Sequence, residues 1–154
     1  MTLVGLTLQD RDDLLGALEA HKKAVALHPK LSQAWINKGI VHRQLNEPDE
    51  AEKCYRTGIE LNPGNADGWA SLGALHIVRK EYAKAIEVLE KAVKLEADNA
   101  IAHSNLAIAY ARVRRFDDAE KELKKAVAAG YKNEAGARRM IDEAKAAPSN
   151  HSPD

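Results

Sequence analysis

The sequence predicts an all-α fold, an array of antiparallel helix pairs that ends in a single capping helix. Three observations support this prediction. Ala, Leu, Glu and Lys dominate the composition while aromatic residues make up only 5%, which favours helices over sheets. The chain repeats itself at an offset of 34 residues, so that Trp35 aligns with Trp69. Within each period the apolar residues recur at helical spacing, as Ala85, Leu89 and Ala92 do.

Charge and composition exclude several classes of protein. The 23 Lys and Arg are balanced by 23 Asp and Glu, so we expect no nucleic-acid partner, which would favour a strongly basic surface. A hydrophobic fraction of 45% indicates a folded chain rather than a disordered one. No apolar run approaches the roughly 18 residues that cross a bilayer, and no basic leader segment opens the sequence. We therefore expect no membrane partner. Because Cys54 is the only thiol, no internal disulfide can form and nothing requires an oxidising compartment, so we expect a cytoplasmic location.

The repeat frame divides the chain into units that each hold two helices. These units are residues 1–31, 32–65, 66–99 and 100–133, and they form one array with a capping helix at 134–147. We therefore expect four antiparallel pairs. In the first unit Met1 falls where Trp35 and Trp69 fall later, so its first helix is short or the chain was cut from something longer.

Polar and proline residues set the helix boundaries. Turns between paired helices are predicted at 46–49, 79–81 and 114–117, and Pro48 suits the first turn of a helix. Pro29 ends the second helix of the first unit. Small residues recur on both helices of a pair, where they let the two backbones approach closely: Gly39, Gly73 and Ala107 on first helices, and Ala51, Ala85 and Ala119 on second helices.

The C-terminal segment reads as a cover for the last repeat. Ala137, Met140, Ile141 and Ala144 form one apolar stripe, and charged residues lie opposite. A helix of this kind gives a repeat array its polar end. The remaining residues, 148–154, are polar and predict a disordered tail.

The unit at 66–99 carries the clearest motif. It reads Trp69, Leu72, Gly73, His76, Ala85, Leu89 and Ala92, followed by Ala97. This pattern resembles the tetratricopeptide repeat family, whose period is about 34 residues. The resemblance covers nearly the whole chain and implies a right-handed superhelix with a concave groove along its first helices. It also implies a non-enzymatic scaffold that binds an extended peptide or helix of a partner protein. The sequence departs from the family's pattern at scattered positions, namely Lys38, His42, Gly58, His76, His103 and Tyr131.

Mapping the family's groove positions onto this chain implies a set of binding residues. They are Ile36, Asn37, Ile40 and Gln44 in the second repeat, Ala70, Ser71, Ala74 and Ile77 in the third, and Ile101, Ser104, Asn105, Ile108 and Arg112 in the fourth, with Leu3 and Leu6 on the matching face of the first. The amides of Asn37 and Asn105 either pair with a peptide backbone or are simply common there. Of the five isoleucines in the set, we expect at least half to face solvent and the rest to lie between repeats.

The same mapping argues against one kind of ligand. Family members that grip the acidic C-terminus of heat-shock chaperones carry Lys and Arg at fixed groove positions together with Asn. The corresponding residues here are Thr2, Leu6, Asn37, Asp67 and Ser71, of which only the Asn fits. We therefore expect no carboxylate clamp. The basic turn of the fourth repeat, with Arg112, Arg114 and Arg115, either attracts an acidic ligand end or is a solvated turn.

Motifs of enzymes and metal sites are missing from the sequence. It has no phosphate-binding glycine-rich loop, no His pair at metal-ligand spacing with a Glu, and no Cys-x-x-Cys. We expect no enzyme activity, no cofactor and no metal. His42 and His76 are predicted to replace a core Tyr of the family, and Cys54 is predicted to be unreactive. Two alternatives stay open: self-association as a homo-oligomer through the first repeat, or a targeting module cut from a larger enzyme.

Overall fold

The computed structural model describes residues 8–148, and every regular element in that range is an α-helix. The helices are α1 (Leu8–Leu27), α2 (Ser32–Gln44), α3 (Pro48–Leu61), α4 (Ala66–Val78), α5 (Tyr82–Leu95), α6 (Ala100–Arg112), α7 (Phe116–Ala128) and α8 (Glu134–Ala146). The all-α prediction is confirmed. Within this range no helix is both long and apolar enough to span a bilayer.

The helices pack as a solenoid of paired helices. α2 packs on α3, α4 on α5 and α6 on α7, and each pair then stacks on the next through α3 with α4 and α5 with α6. The first helices α2, α4 and α6 also contact one another in order, so they form one continuous face. α8 packs on α6 and α7, where the first helix of a further repeat would lie.

The first repeat differs from the expected helix pair. α1 runs without a break from Leu8 to Leu27 and packs on α2 alone among the described helices. The described residues thus form three complete pairs rather than four, and residues 1–7, like the predicted tail at 149–154, lie outside the described range.

The turns inside the complete pairs show where the first repeat departs from the others. Asn46, Lys80 and Arg114 end the first helices with φ of 61°, 61° and 65°, in the left-handed region. This conformation costs a residue other than glycine about 1 kcal/mol or more, which the packing of two helices offsets. Asp12 is the equivalent residue of the first repeat, and it lies inside the continuous helix α1.

A side-chain link spans each of these turns. Nδ1 of His42 lies 3.4 Å from Oε1 of Glu47, and Nδ1 of His76 lies 3.1 Å from Oε1 of Glu81. His76, together with Lys84, lowers the pKa of the Glu81 carboxyl. In the last pair the equivalent residues are Tyr110 and Arg115, and the guanidinium lies 4.4 Å from the centre of the Tyr110 ring. The two histidines are buried, as predicted for residues that replace a core Tyr.

Small residues bring paired helices together as the sequence predicts. A Cβ atom at Gly39 would lie 2.6 Å from the Tyr55 ring, and one at Gly73 would overlap the Leu89 side chain. Ala85 and its equivalents Ala51 and Ala119 are fully buried on the second helices. At this contact the space between the helices has no room for a further methyl group.

Asparagine residues cap the N-termini of α4, α6 and α8. The side chains of Asn65, Asn99 and Asn133 accept backbone hydrogen bonds from Asp67 (3.1 Å), Ala102 (2.9 Å) and Gly136 (3.1 Å). These are N-caps, which satisfy backbone N–H groups that a helix start leaves unpaired. The starts of α4, α6 and α8 are thus marked by a favourable capping residue, whereas Leu31 at the start of α2 makes no side-chain cap hydrogen bond.

A ring nitrogen ties each first helix to the chain six residues earlier. Trp35 donates to the carbonyl of Pro29 at 2.9 Å, and Trp69 donates to that of Pro63 at 2.8 Å. His103 makes the same contact, since its Nε2 lies 2.7 Å from the Ala97 carbonyl. The His that departs from the family's Trp thus keeps the Trp hydrogen bond.

The capping helix α8 covers the end of the array. Ala137, Ile141 and Ala144 are buried against the last pair. On its other edge Arg138 binds Glu120 of α7 through two hydrogen bonds, and Arg138 and then Lys145 hold the pKa of the Glu120 carboxyl down to about 2. α8 is therefore fixed by apolar contacts on one side and by charge on the other.

Candidate binding groove

The face formed by α2, α4 and α6 contains a groove of about 360 Å³. Seven of the predicted binding residues line it: Ile40, Ala70, Ser71, Ala74, Ile101, Ser104 and Asn105. They come from corresponding turns of the three helices, because residues 34 apart in sequence stack beside one another in the array. The repeat frame therefore brings them together.

Six predicted residues do not line this groove: Ile36, Asn37, Gln44, Ile77, Ile108 and Arg112. The expectation that at least half of the five isoleucines face solvent is wrong. Ile36 is fully buried and Ile108 is 8% exposed, while Ile101 alone is clearly exposed at 57%. Ile40 and Ile77 are half-buried.

The burial of Ile36 has a local cause. Two glycines, Gly58 on α3 and Gly68 on α4, leave space that its side chain fills, and a Cβ atom at Gly58 would lie 2.8 Å from Cγ1 of Ile36. Ile36 thus joins the apolar core between the second and third repeats, with Tyr55 and Leu72. Ile36 therefore holds the second and third repeats together, and it is not available to bind a ligand.

The two candidate amides differ in their surroundings. Nε2 of Gln33 donates to Oδ1 of Asn37 at 3.0 Å, so the Asn37 carbonyl oxygen already has a partner within α2. Asn105 lines the groove, and none of its side-chain atoms has a hydrogen-bond partner among residues 8–148. Of the pair, Asn105 is the amide that is available to a ligand.

Five further residues line the groove outside the predicted binding set: Gln33, Arg43, Asp67, Asn99 and Tyr131. Of these, the sequence places only Asp67 at a groove position, as a residue that argues against an acidic ligand. Gln33 and Asp67 align with Ile101 at the repeat offset, so the second position of each first helix was a usable signal. Tyr131 follows α7 and closes one end, in a place where the repeat offset has no equivalent lining residue.

Hydrogen bonds hold one wall of the groove. The Ser32 hydroxyl donates to the Gly58 carbonyl at 2.8 Å, which ties α2 to α3. The Asn65 amide then donates to Ser32 at 3.1 Å and to Oε1 of Gln33 at 3.2 Å. The Gln33 side chain is therefore positioned before any ligand arrives.

The groove contains one charged group of each sign. Asp67 is exposed, and Arg43 is half-buried beside the fully buried Tyr55. Nε of Arg43 is enclosed and has no hydrogen-bond partner in the described structure. The rest of the lining consists of apolar, amide, hydroxyl and phenol groups, so the groove suits a ligand with little net charge.

Several other sequence candidates have structural explanations. Arg114 contacts the carbonyls of Ala144 and Ala147 at the end of α8, and Arg115 pairs with Asp118. Two of the three arginines of the basic turn are thus engaged within the chain. Burial raises the pKa of the Cys54 thiol, which keeps the thiol protonated. In the described part of the chain, no three His, Cys, Asp or Glu side chains come together as a metal site would require.

Comparison with protein families gives matches along the middle of the chain. A tetratricopeptide repeat model matches residues 32–65, a second matches residues 54–87, and a TPR repeat model matches residues 79–113. Together they cover residues 32–113, more than half of the sequence. An uncharacterized protein of Methanocaldococcus jannaschii is 35% identical over 54 residues, which is 35% of this chain and 63% of that protein. The chain thus spans less than two thirds of that relative's length.

Solved structures share the fold. MamA is 20% identical, with a TM-score of 0.67 over 91% of this chain and 90% of its own. The first TPR domain of Spaghetti (RPAP3), bound to the HSP90 peptide SRMEEVD, is 23% identical, with a TM-score of 0.67 over 76% of this chain and 94% of its own. The Arabidopsis OM64 TPR domain is 19% identical, with the same TM-score over 73% of this chain and 95% of its own.

Proposed function

The chain belongs to the tetratricopeptide repeat family, and from that premise we propose that it binds an extended segment of a partner protein in the groove on α2, α4 and α6. Members of this family are typically interaction modules rather than enzymes. The lining of the groove is the observation that supports this proposal most directly. Its apolar side chains lie next to polar groups without a hydrogen-bond partner in the described structure, namely the Asn105 amide and Nε of Arg43. Apolar groups supply the burial that drives binding, and amides fix the direction of a peptide backbone.

The lining also favours a particular class of peptide. Ile40 and Ile101 offer two apolar contacts, and Asn105 between the third and fourth repeats offers both a donor and an acceptor. Asp67 opposes a strongly acidic peptide, because like charges in one groove repel. The ligand we propose is an extended, nearly neutral segment with two apolar side chains.

The structural relatives support a peptide as the ligand class. The RPAP3 domain holds an HSP90 peptide, SRMEEVD, which is acidic near its end. Asp67 and Ser71 stand where a chaperone-binding groove would carry basic side chains, so that acidic sequence is a poor candidate here. We therefore propose that this chain also binds a peptide, but a peptide without that acidic sequence.

An affinity experiment with a matched control tests this function. The partner is first captured from native extract with the wild-type chain, identified, and reduced to a synthetic segment that binds one to one by calorimetry. Ile40→Glu with Ile101→Glu should weaken that segment at least about tenfold, which corresponds to about 1.4 kcal/mol. The control, Leu61→Glu with Leu95→Glu, changes two exposed residues at the ends of α3 and α5 and should leave the affinity unchanged. Equal affinities of the two variants would contradict a groove ligand.

The two asparagines provide a second, finer test. Asn105→Ala should weaken the same segment by about 1–3 kcal/mol, because a backbone group of the ligand loses its partner. Asn37→Ala changes the equivalent position, whose carbonyl oxygen is already occupied by Gln33, and should have little effect. A larger loss at Asn37 than at Asn105 would mean that the ligand lies across the second repeat instead.

The two alternatives from the sequence concern other parts of the molecule. Self-association through the first repeat would use α1 and would leave the groove open to a partner. A targeting role within a larger enzyme stays a prediction, and the full reading frame decides it.

A further inference from the structure

The groove on α2, α4 and α6 contains two charged side chains without an ion-pair partner. Among the described residues that line it, Arg43 and Asp67 alone are charged. Neither side chain forms an ion pair within residues 8–148. Other partly buried arginines of the array are paired, since Arg79 binds Asp49 at 2.6 Å and Arg138 binds a carboxylate of α7. The groove therefore offers one positive and one negative group to a ligand.

Arg43 is the more informative of the two, because part of its guanidinium is enclosed. Its Nε is buried without a hydrogen-bond partner in the described structure, beside the fully buried Tyr55. Burial raises the pKa of the Tyr55 phenol, so the phenol stays neutral and does not balance the charge of Arg43. A partly enclosed cation without a counter-charge costs stability. A ligand carboxylate that binds the terminal guanidinium nitrogens would recover that cost.

The helix dipole accounts for the sign of each charge. Arg43 is in the last turn of α2 and Asp67 is in the first turn of α4, where a cation and an anion are favoured. Lys94 at the end of α5 and Asp117 at the start of α7 occupy equivalent helix ends. Both of these are exposed and lie outside the groove lining. They therefore provide matched controls that have the same dipole role but no place in the groove.

The two groove charges lie at opposite ends of the first helices. Arg43 is the twelfth residue of α2 and Asp67 is the second residue of α4, and corresponding residues of these helices stack beside one another. The offset between the two positions corresponds to a rise of about 15 Å. Neighbouring helices lie about 9 Å apart, so the diagonal between the positions is about 17 Å. An extended peptide advances about 3.3 Å per residue and spans that distance with about five residues.

Charges next to the lining strengthen one end of this pattern and cancel at the other. Arg112, in the last turn of α6, lies at the same end of the first helices as Arg43. At the other end Asp98 and Lys132 each adjoin a lining residue in sequence. Because these two have opposite signs, Asp67 sets the charge of that end.

We propose that the segment bound in this groove carries one acidic and one basic side chain about four to six residues apart, the acidic one paired with Arg43 and the basic one with Asp67. This inference rests on the proposed peptide function and specifies the charge pattern of its ligand. Such a pair adds no net charge to the segment. The two ion pairs also fix the direction in which the segment crosses from α2 to α4, because the reverse direction would bring like charges together.

Selection from a display library of random peptides, each about twelve residues long, tests the charge pattern with the full chain as target. The wild-type chain should enrich peptides in which an acidic and a basic residue are about four to six positions apart. The swap variant, Arg43→Glu with Asp67→Lys, should enrich the same pair in reverse order, because the other groove contacts still set the direction of the peptide. The control, Lys94→Glu with Asp117→Lys, should enrich the wild-type order.

Calorimetry with one enriched peptide tests the Arg43 pair by itself. Replacing the acidic residue of the peptide by Gln should weaken its binding to the wild-type chain about tenfold, and it should have no effect on binding to Arg43→Gln. The wild-type half of this comparison does not depend on any variant folding. An equal loss with both proteins would overturn the pairing with Arg43.

The selection also separates this inference from the function on which it rests. Enriched peptides that lack the charge pair, and that Ile40→Glu with Ile101→Glu no longer binds, would overturn the charge pattern and leave the peptide function standing. A swap variant that enriches the wild-type order would do the same. If no enriched peptide depends on Ile40 and Ile101, the proposed function and the charge pattern both fail.

Discussion

Single side chains set the distance between paired helices. Gly73→Ala should destabilise the fold by about 1–3 kcal/mol, because the added Cβ overlaps Leu89, which is itself fully buried. Gly16→Ala is a matched control on an exposed helix position with nothing near its Cβ, and it should stabilise the fold by up to about 1 kcal/mol. Urea denaturation of both variants measures this. Equal effects would mean that helix propensity outweighs packing at this contact.

His103 combines two hydrogen bonds in a buried place. Its Nδ1 lies 2.6 Å from Oε2 of Glu122, and its Nε2 faces the Ala97 carbonyl. His103→Ala should cost about 1–3 kcal/mol, because Glu122 loses its imidazole partner and keeps only the exposed Lys125 ammonium, at 3.3 Å. The double variant His103→Leu with Glu122→Leu should cost less than the single change, since it removes both polar groups. Chemical denaturation checks the order, and a double variant that is less stable than His103→Ala would contradict it.

At residue scale the repeat offset predicts the small packing residues better than the binding residues. Gly39 and Ala85 each perform a task that every complete repeat needs, so their spacing in the sequence reveals it. The side of a helix on which an isoleucine lies depends on the neighbouring repeat. Ile36 is buried because Gly58 and Gly68 leave space beside it, and no count along one helix contains that information.

Among the helices, α8 depends on a charge network that responds to pH. Arg138 and Lys145 lower the pKa of Glu120 from 4.5 to about 2. The network therefore stabilises the fold above pH 4.5 and loses that contribution as pH falls through about 2. Glu120→Gln should cost about 1 kcal/mol at neutral pH, and this difference should shrink between pH 4.5 and 2. Stability measured against pH for both chains checks it, and a constant difference would contradict it.

α8 also covers the apolar end of the array. Removal of residues 134–154 exposes the surface on α6 and α7 that Ala137, Ile141 and Ala144 cover. We expect a lower thermal midpoint and concentration-dependent association, since terminal repeats need a polar cover. Calorimetry and light scattering measure both. A truncated chain that melts with the full-length chain and stays monomeric would argue that α8 is dispensable.

The sequence predicts the helix boundaries of the complete pairs better than it predicts the structure of the first repeat. The second helix of the first complete pair begins at Pro48, and the prediction of a turn at 46–49 agrees with Asn46 in the left-handed region. The same frame places a turn at Asp12, where α1 is continuous. A turn needs the packing of both helices that it joins, and a local sequence pattern does not report whether a partner helix is present.

For the whole molecule, the core is unevenly distributed along the array. The largest apolar cluster extends from Ala70 on α4 to Ala144 on α8, whereas the cluster between α1 and α2 contains only Leu18, Val41 and Leu45 as buried members. Amide hydrogen exchange should therefore be slowest in α6 and α7 and fastest in α1, because repeat arrays open from their less stable end. Exchange followed by mass spectrometry at low protein concentration measures this gradient. Uniform protection would mean that the array unfolds as one cooperative unit.

The side-chain contacts across the turns limit which segments can be exchanged between repeats. His42 with Glu47 and His76 with Glu81 have the same chemistry, whereas Tyr110 with Arg115 has another. Recombination that exchanges a whole hexapeptide, from the first link residue to the second, keeps matched partners together. A crossover inside the hexapeptide of the last pair would join an imidazole to a guanidinium, or a phenol ring to a carboxylate. An engineered exchange of the whole hexapeptide between repeats should therefore preserve these contacts better than an exchange of only one of its two end residues.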